Sequence, residues 1–158
     1  MKELWAPWRM EYILNDADDN GCFLCELPKQ TDDAENYILF RGEHNYVILN
    51  AFPYNSGHLM VVPYQHGGDM AALSRDTMAE HLEVVSKSLQ SLKAAFGAQG
   101  FNVGMNIGKV AGAGVTDHLH THIVPRWEGD TNFMPVIADM KVVPEALSAT
   151  YNKLKGHF

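Results

Sequence analysis

The segment His118-Leu119-His120-Thr121-His122-Ile123-Val124-Pro125-Arg126 places a histidine at every second position and then runs into an apolar stretch. A period of two is the strand period, so an extended backbone sends the three imidazoles to one face and Leu119, Thr121 and Ile123 to the other. Alternate Cα atoms on a strand are about 6.5–7 Å apart, which makes a row about 13 Å long, the dimension of a polyphosphate. Imidazole serves as nucleophile, acid or hydrogen-bond donor near neutral pH. The same spacing also suits a His-x-His metal face or a solvated strand face. Upstream, Gly112-Ala113-Gly114 leaves backbone N–H groups open to an anion, and downstream Arg126 offers a fixed cation.

The regions outside this strand complete the architecture. Asn36–Arg41 and Asn45–Asn50 are β-rich runs separated by Gly42-Glu43-His44, the pattern of a hairpin, and His58–Pro63 reads as a third strand closed by its proline. Arg75–Phe96 carries Met78, Leu82, Val85, Leu89, Leu92 and Phe96 at spacings of three and four. That is an amphipathic helix, with Ser74 or Asp76 at its start and Gly97 at its end. Phe101–Ile107 and Asp117–Val124 supply two more strands, and Pro144 opens a last helix to about Lys155. Asp16–Asn20 and Pro28–Glu35 are polar loops. Strands grouped before and after one long helix, without βα alternation, predict an α+β domain with an antiparallel sheet.

The 158 residues suit one domain, residues 1–158, with a 1–35 extension preceding a 36–158 core. A hydrophobic share of 46% and a charged share of 20% are ordinary for a globular chain. The net charge of −7 argues against broad nucleic-acid binding, although backbone amides can still hold an anion locally. No apolar run reaches the roughly 20 residues of a membrane span, and the first dozen residues lack a signal-peptide core, so a cytoplasmic location is expected. Cys22-Phe23-Leu24-Cys25 has the spacing of a metal knuckle or a redox pair, and two inert cysteines are the third reading. The polar loop before it lacks the strand that a thioredoxin-like pair requires. His81 lies among Met78, Val84 and Val85 and is expected to be packed or at the surface.

The pattern His-apolar-His-x-His-apolar-apolar, led by Ala111-Gly112-Ala113-Gly114-Val115, resembles the signature of the histidine triad superfamily of nucleotidyl hydrolases and transferases. Leu4-Trp5-Ala6-Pro7-Trp8-Arg9, the Asn50–His58 segment and the Pro125–Phe133 segment resemble the bacterial branch related to diadenosine tetraphosphate phosphorylases. The likeness extends from Leu4 to about Leu154, with weak spots at 26–35 and 69–98. Thr121 departs from it, standing where the family usually has an apolar residue.

The resemblance implies a five-stranded antiparallel sheet with the long helix packed on it and a C-terminal helix. It implies an enzyme that cleaves dinucleoside polyphosphates by hydrolysis or phosphorolysis through a nucleotidyl-histidine. His120 would be the nucleophile, with His122 and His58 beside it. Asn50 would bind ribose, the 36–52 hairpin would wall the base, and Asn106, Gly112, Gly114 and His122 would bind phosphates. It also implies a structural Zn2+ on Cys22, Cys25, His66 and His118, with His44 a rival ligand, Mg2+ accompanying the substrate, and a homodimer. The tryptophans Trp5, Trp8 and Trp127 read as core or interface packing, with base platforms the other reading, and Arg126 and Asp130 as partners for each other or for neighbouring loops. Rival functions are a nucleoside phosphoramidase or adenylyl hydrolase, and a non-catalytic zinc-stabilised nucleotide-binding module.

Overall fold

Strands β1 (Ile38–Arg41), β2 (Asn45–Leu49), β3 (Leu59–Pro63), β4 (Gly100–Gly104) and β5 (Thr121–Arg126) form one antiparallel sheet in the order β1-β2-β3-β5-β4. Among the described residues the α-helices are α1 (Phe23–Glu26), α2 (Arg75–Phe96) and α3 (Leu147–Leu154), which gives an α+β architecture. The computed structural model describes residues 21–130 and 145–158. The Leu4–Arg9 motif with Trp5 and Trp8, the Asp16–Asn20 loop, Asn132, Phe133 and Pro144 lie outside the described residues.

β2 and β3 are buried along their whole length because both faces of the sheet are covered. Val47, Leu49, Leu59, Val61 and Ile123 pack under Val84 and Leu92 of α2 and Tyr151 and Leu154 of α3. The alternate residues Tyr46, Ile48, Met60 and Val62 pack with Ile38 and with Leu24 of α1. The cysteine knuckle thus sits on the face opposite α2. The Tyr46 hydroxyl donates to the Leu24 carbonyl at 2.7 Å, and Arg41 reaches back to Asp33 and to the carbonyls of Pro28 and Gln30.

α2 has the expected limits. The Ser74 hydroxyl accepts from Thr77 N at 3.0 Å, and Gly97 closes the helix in the left-handed region at φ 59. Its buried face differs from the expected stripe. Leu82 is 70% exposed, whereas Thr77, His81, Val84, Ser88 and Leu92 face the sheet. Small side chains at 77 and 88 let the helix approach closely, and His81 finds polar partners in the sheet, so the face is turned by about one residue.

Two strand boundaries also differ. β5 starts at Thr121 rather than Asp117 and runs to Arg126. Residues 118 and 119 bond instead to the end of β3 and the loop after it, with His118 Nε2 on Pro63 O at 2.7 Å and Leu119 N on Gly67 O at 2.9 Å. β4 consequently ends at Gly104, whose partner is His122, because no ladder continues beyond it. α3 starts at Leu147, three residues after the expected proline.

Candidate functional site

His58 immediately precedes β3, and His122 is the second residue of β5, on the face away from α2. His58 Nε2 and His122 Nδ1 are 2.9 Å apart, and the His120 and His122 rings are 4.8 Å apart at a 78° angle. The expected row of three is therefore a cluster of His58, His122 and His120. His118 turns aside, its ring edge-on to His66 at 5.2 Å.

Backbone groups of unambiguous polarity set the protons on this cluster. The Tyr54 N–H donates to His58 Nδ1 at 3.0 Å, so neutral His58 carries its proton on Nε2 and donates to His122 Nδ1. His122 then presents an Nε2–H outward. His120 Nδ1 lies 2.9 Å from the His118 carbonyl, which only accepts, so Nδ1 is protonated and Nε2 keeps a free lone pair. One ring offers a nucleophilic nitrogen, and the next offers a donor. Burial, followed by the adjacent His120, pushes the His122 imidazole down to about 4, so it is neutral near pH 7.

Asn50 is buried beside His58. Its Oδ1 accepts from Phe52 N at 2.8 Å, and its Nδ2, 3.5 Å from His58 Nε2, is a neighbour more than a partner. The Tyr54 ring lies 4.6 Å from His58 and 5.8 Å from His122 and is half exposed, a placement that no spacing signal announced. The loop from Gly104 to His118 leaves the sheet opposite His122 and returns beside His120. Asn106 Nδ2 donates to Gly112 O at 3.3 Å across its base, and Gly108 and Gly112 take the left-handed backbone at φ 84 and 85. Gly112 and Gly114 are exposed on this loop.

Arg126 is committed elsewhere. Its guanidinium pairs with Asp130 at 2.6 and 2.9 Å and donates to Asn102 Oδ1 at 2.8 Å. Asp130 also accepts from the buried Asn55, whose amide reaches Pro125 O as well, so this group braces the turn that carries Tyr54 and His58. Trp127 donates to Phe96 O at 3.2 Å, a packing role.

A second cluster lies next to the first. One ligand atom each from Cys22, Cys25, His66 and His118 falls within 4.8 Å of all the others. His118 Nδ1 is 3.3 Å from both sulfurs, and His66 Nδ1 is 3.4 Å from Cys25 Sγ. Tetrahedral zinc with bonds of about 2.3 Å to sulfur and 2.0–2.1 Å to nitrogen sets S···N edges of about 3.5 Å, close to these three. The Pro63 carbonyl takes the proton of His118 Nε2, leaving Nδ1 as the ligand atom. His44 is not in the cluster. Its backbone N–H bonds Glu80, and its ring lies 4.0 Å from the Glu43 carboxylate.

Residues 31–129 match the family model of the HIT domain. The chain is 38% identical over 158 residues to an AP-4-A phosphorylase of Mycobacterium tuberculosis, an alignment covering 95% of this chain and 80% of that protein. A hypothetical histidine triad nucleotide-binding protein from Sulfolobus tokodaii strain 7 superposes with a TM-score of 0.67 at 32% identity, over 86% of this chain and 88% of that one. A zinc-bound histidine triad family protein from Mycobacterium smegmatis superposes at 0.69 over 87% and 92% of the two chains. At 22% identity, that second likeness is one of fold.

Proposed function

Because the chain belongs to the HIT, or histidine triad, family, we propose that it is a nucleotidyl transferase that cleaves dinucleoside polyphosphates such as diadenosine tetraphosphate. The observation that carries this reading is the proton arrangement of the histidine cluster: a free Nε2 lone pair on His120 beside an Nε2–H on His122.

In the first step His120 Nε2 attacks the α-phosphorus, and the bond from that phosphorus to the leaving polyphosphate oxygen breaks. His120 Nδ1 keeps its proton on the His118 carbonyl, which stabilises the positive charge that the attacking ring acquires. His122 donates an Nε2–H hydrogen bond to the leaving oxygen, so the polyphosphate departs as the anion, and the His58 Nε2–H bond to His122 Nδ1 holds that donor in place. In the second step an acceptor attacks the nucleotidyl-His120, the P–N bond breaks, and the ring returns to its starting form. The relative's name, a phosphorylase, favours inorganic phosphate over water as that acceptor.

Asn50 is assigned to the ribose, with the hairpin of β1 and β2 as the wall for the base. Asn106, Gly112 and Gly114 are assigned to the phosphates with Mg2+ as their counterion. Zn2+ on Cys22, Cys25, His66 and His118 would be structural, tying the knuckle to the segment that holds His120. Two cysteines arranged as ligands suit a reducing cytoplasm. The whole chain is assigned to one domain and to a homodimer. The edge strand β4 exposes Val103, and α2 exposes Leu82, surfaces that a second copy would cover. Light scattering should give twice the mass of the chain.

The test is product analysis after incubation with diadenosine tetraphosphate, with and without phosphate. Phosphate-dependent ADP plus ATP supports phosphorolysis, and AMP plus ATP indicates asymmetric hydrolysis. No cleavage under either condition rejects the reading.

A further inference from the structure

One buried histidine has no part in this chemistry. His81, on the face of α2 against the sheet, is 4% exposed. Its Nδ1 lies 2.8 Å from Asn45 Oδ1, and its Nε2 lies 2.7 Å from Thr121 Oγ1. The Asn45 amide nitrogen already donates to Thr77 O at 3.1 Å and to the Glu80 carboxylate at 2.8 Å, so Oδ1 is the atom that faces His81. Oδ1 only accepts, so His81 Nδ1 carries the proton, and in the neutral ring Nε2 must accept from the Thr121 hydroxyl. Burial, opposed more weakly by Glu80, favours that neutral ring. The helix, β2 and β5 are thus joined by a directional chain in which donation runs from Thr121 through His81 and Asn45 to Glu80.

Thr121 is where this chain acquires a consequence for the site. It is the first residue of β5 and lies between His120 and His122 in sequence. Its backbone pairs with Val61 of β3, but residues 118–120 ahead of it have left the ladder. The orientation of His120 therefore depends on how the backbone is held at 121. A valine would fill the same buried space without bringing a second buried polar atom that must be satisfied.

We propose that His81 is a positioning residue for the reaction. By accepting the Thr121 hydroxyl through the sheet, it fixes the backbone at the start of β5, keeping His120 Nδ1 on the His118 carbonyl and Nε2 aimed at the substrate. This rests on the assignment of His120 as the reacting group.

The test compares Thr121→Val, which keeps the shape and removes the donor, with Thr121→Ser, which keeps the donor, both in metal-loaded full-length protein. Thr121→Val is expected to lower kcat about 10–100-fold with KM nearly unchanged, the scale of a misplacement of about 1 Å, while Thr121→Ser stays near the parent. A second readout needs no turnover. The 15N shifts of the His120 ring should show a single Nδ1–H form in the parent and in Thr121→Ser, and mixed forms in Thr121→Val. Two results overturn the proposal: parent-like kcat and 15N pattern in Thr121→Val, or equal damage in both variants, which would make the methyl group the important part. If the parent itself cleaves no dinucleoside polyphosphate, the functional reading fails, and the 15N comparison still decides whether His81 positions His120.

Discussion

Replacing Cys22 and Cys25 together by serine should lower the thermal unfolding midpoint of the metal-loaded protein by about 8–20 °C. A metal joining Cys22 to His118 closes a loop of 96 residues. For a loop of about 100 residues, the chain-entropy argument for a covalent cross-link gives roughly 4.7 kcal/mol. A domain of this size shifts by about 2–4 °C per kcal/mol, and the product, about 9–19 °C, lies within the quoted range. The geometry leaves little to subtract for rearrangement, since three of the four sulfur–nitrogen edges are already 3.3–3.4 Å and all four ligand atoms lie within 4.8 Å of one another. The variant should still fold, because Leu24 is 1% exposed in the core and the Tyr46 hydroxyl holds its carbonyl. The assay is scanning calorimetry with one equivalent of zinc, with a chelator, and on the serine variant, alongside metal analysis. A zinc-loaded midpoint within about 2 °C of the chelated one, or full metal retention by the double variant, would refute the reasoning.

His120→Ala should lose on the order of 10³-fold or more in kcat while keeping nucleotide affinity, because it removes the group that forms the covalent bond. Rapid-quench labelling that still traps a nucleotidylated protein in this variant would move the nucleophile elsewhere. Stability should fall as the pH drops below about 6.5. His81 and His122 are held below their ordinary value of 6.5 by burial, His122 at about 4. The folded chain therefore binds fewer protons than the unfolded one across that window, and stability rises with pH through it. Urea midpoints at about pH 7.5 and pH 5 measure the slope, and a midpoint that is flat or higher at the acidic end contradicts the sign.

Much of the fold is visible in local pattern. The alternation around His118–Arg126, the hairpin turn at Gly42–His44 and the caps of α2 at Ser74 and Gly97 depend on neighbours within a few residues, and backbone sterics and capping read at that range. The alternating histidines 118, 120 and 122 and the Cys22–Cys25 knuckle are likewise legible as residue types at telling spacings, whereas His58 and His66 came only with the family resemblance. What spacing could not provide is where each ring turns. His118 and His120 are two residues apart, yet one points its lone pair at two sulfurs and the other bonds the first one's carbonyl, because the end of β3 and the loop after it capture 118 and 119 before the strand begins. The buried face of α2 was misplaced for a related reason. Leu82 satisfies the helical period but faces outward, while polar His81 faces inward because Asn45 and Thr121, far away in sequence, supply its hydrogen bonds. The pairing of Arg126 with Asp130 was legible, but the brace through Asn55 to the turn carrying His58 was not. Sequence alone determines which elements form and which chemistry the chain holds, since those follow from short-range periodicity and side-chain type. Tertiary structure decides proton placement and side-chain direction, since a hydrogen bond's polarity is set by whichever distant donor or acceptor the fold brings within 3 Å.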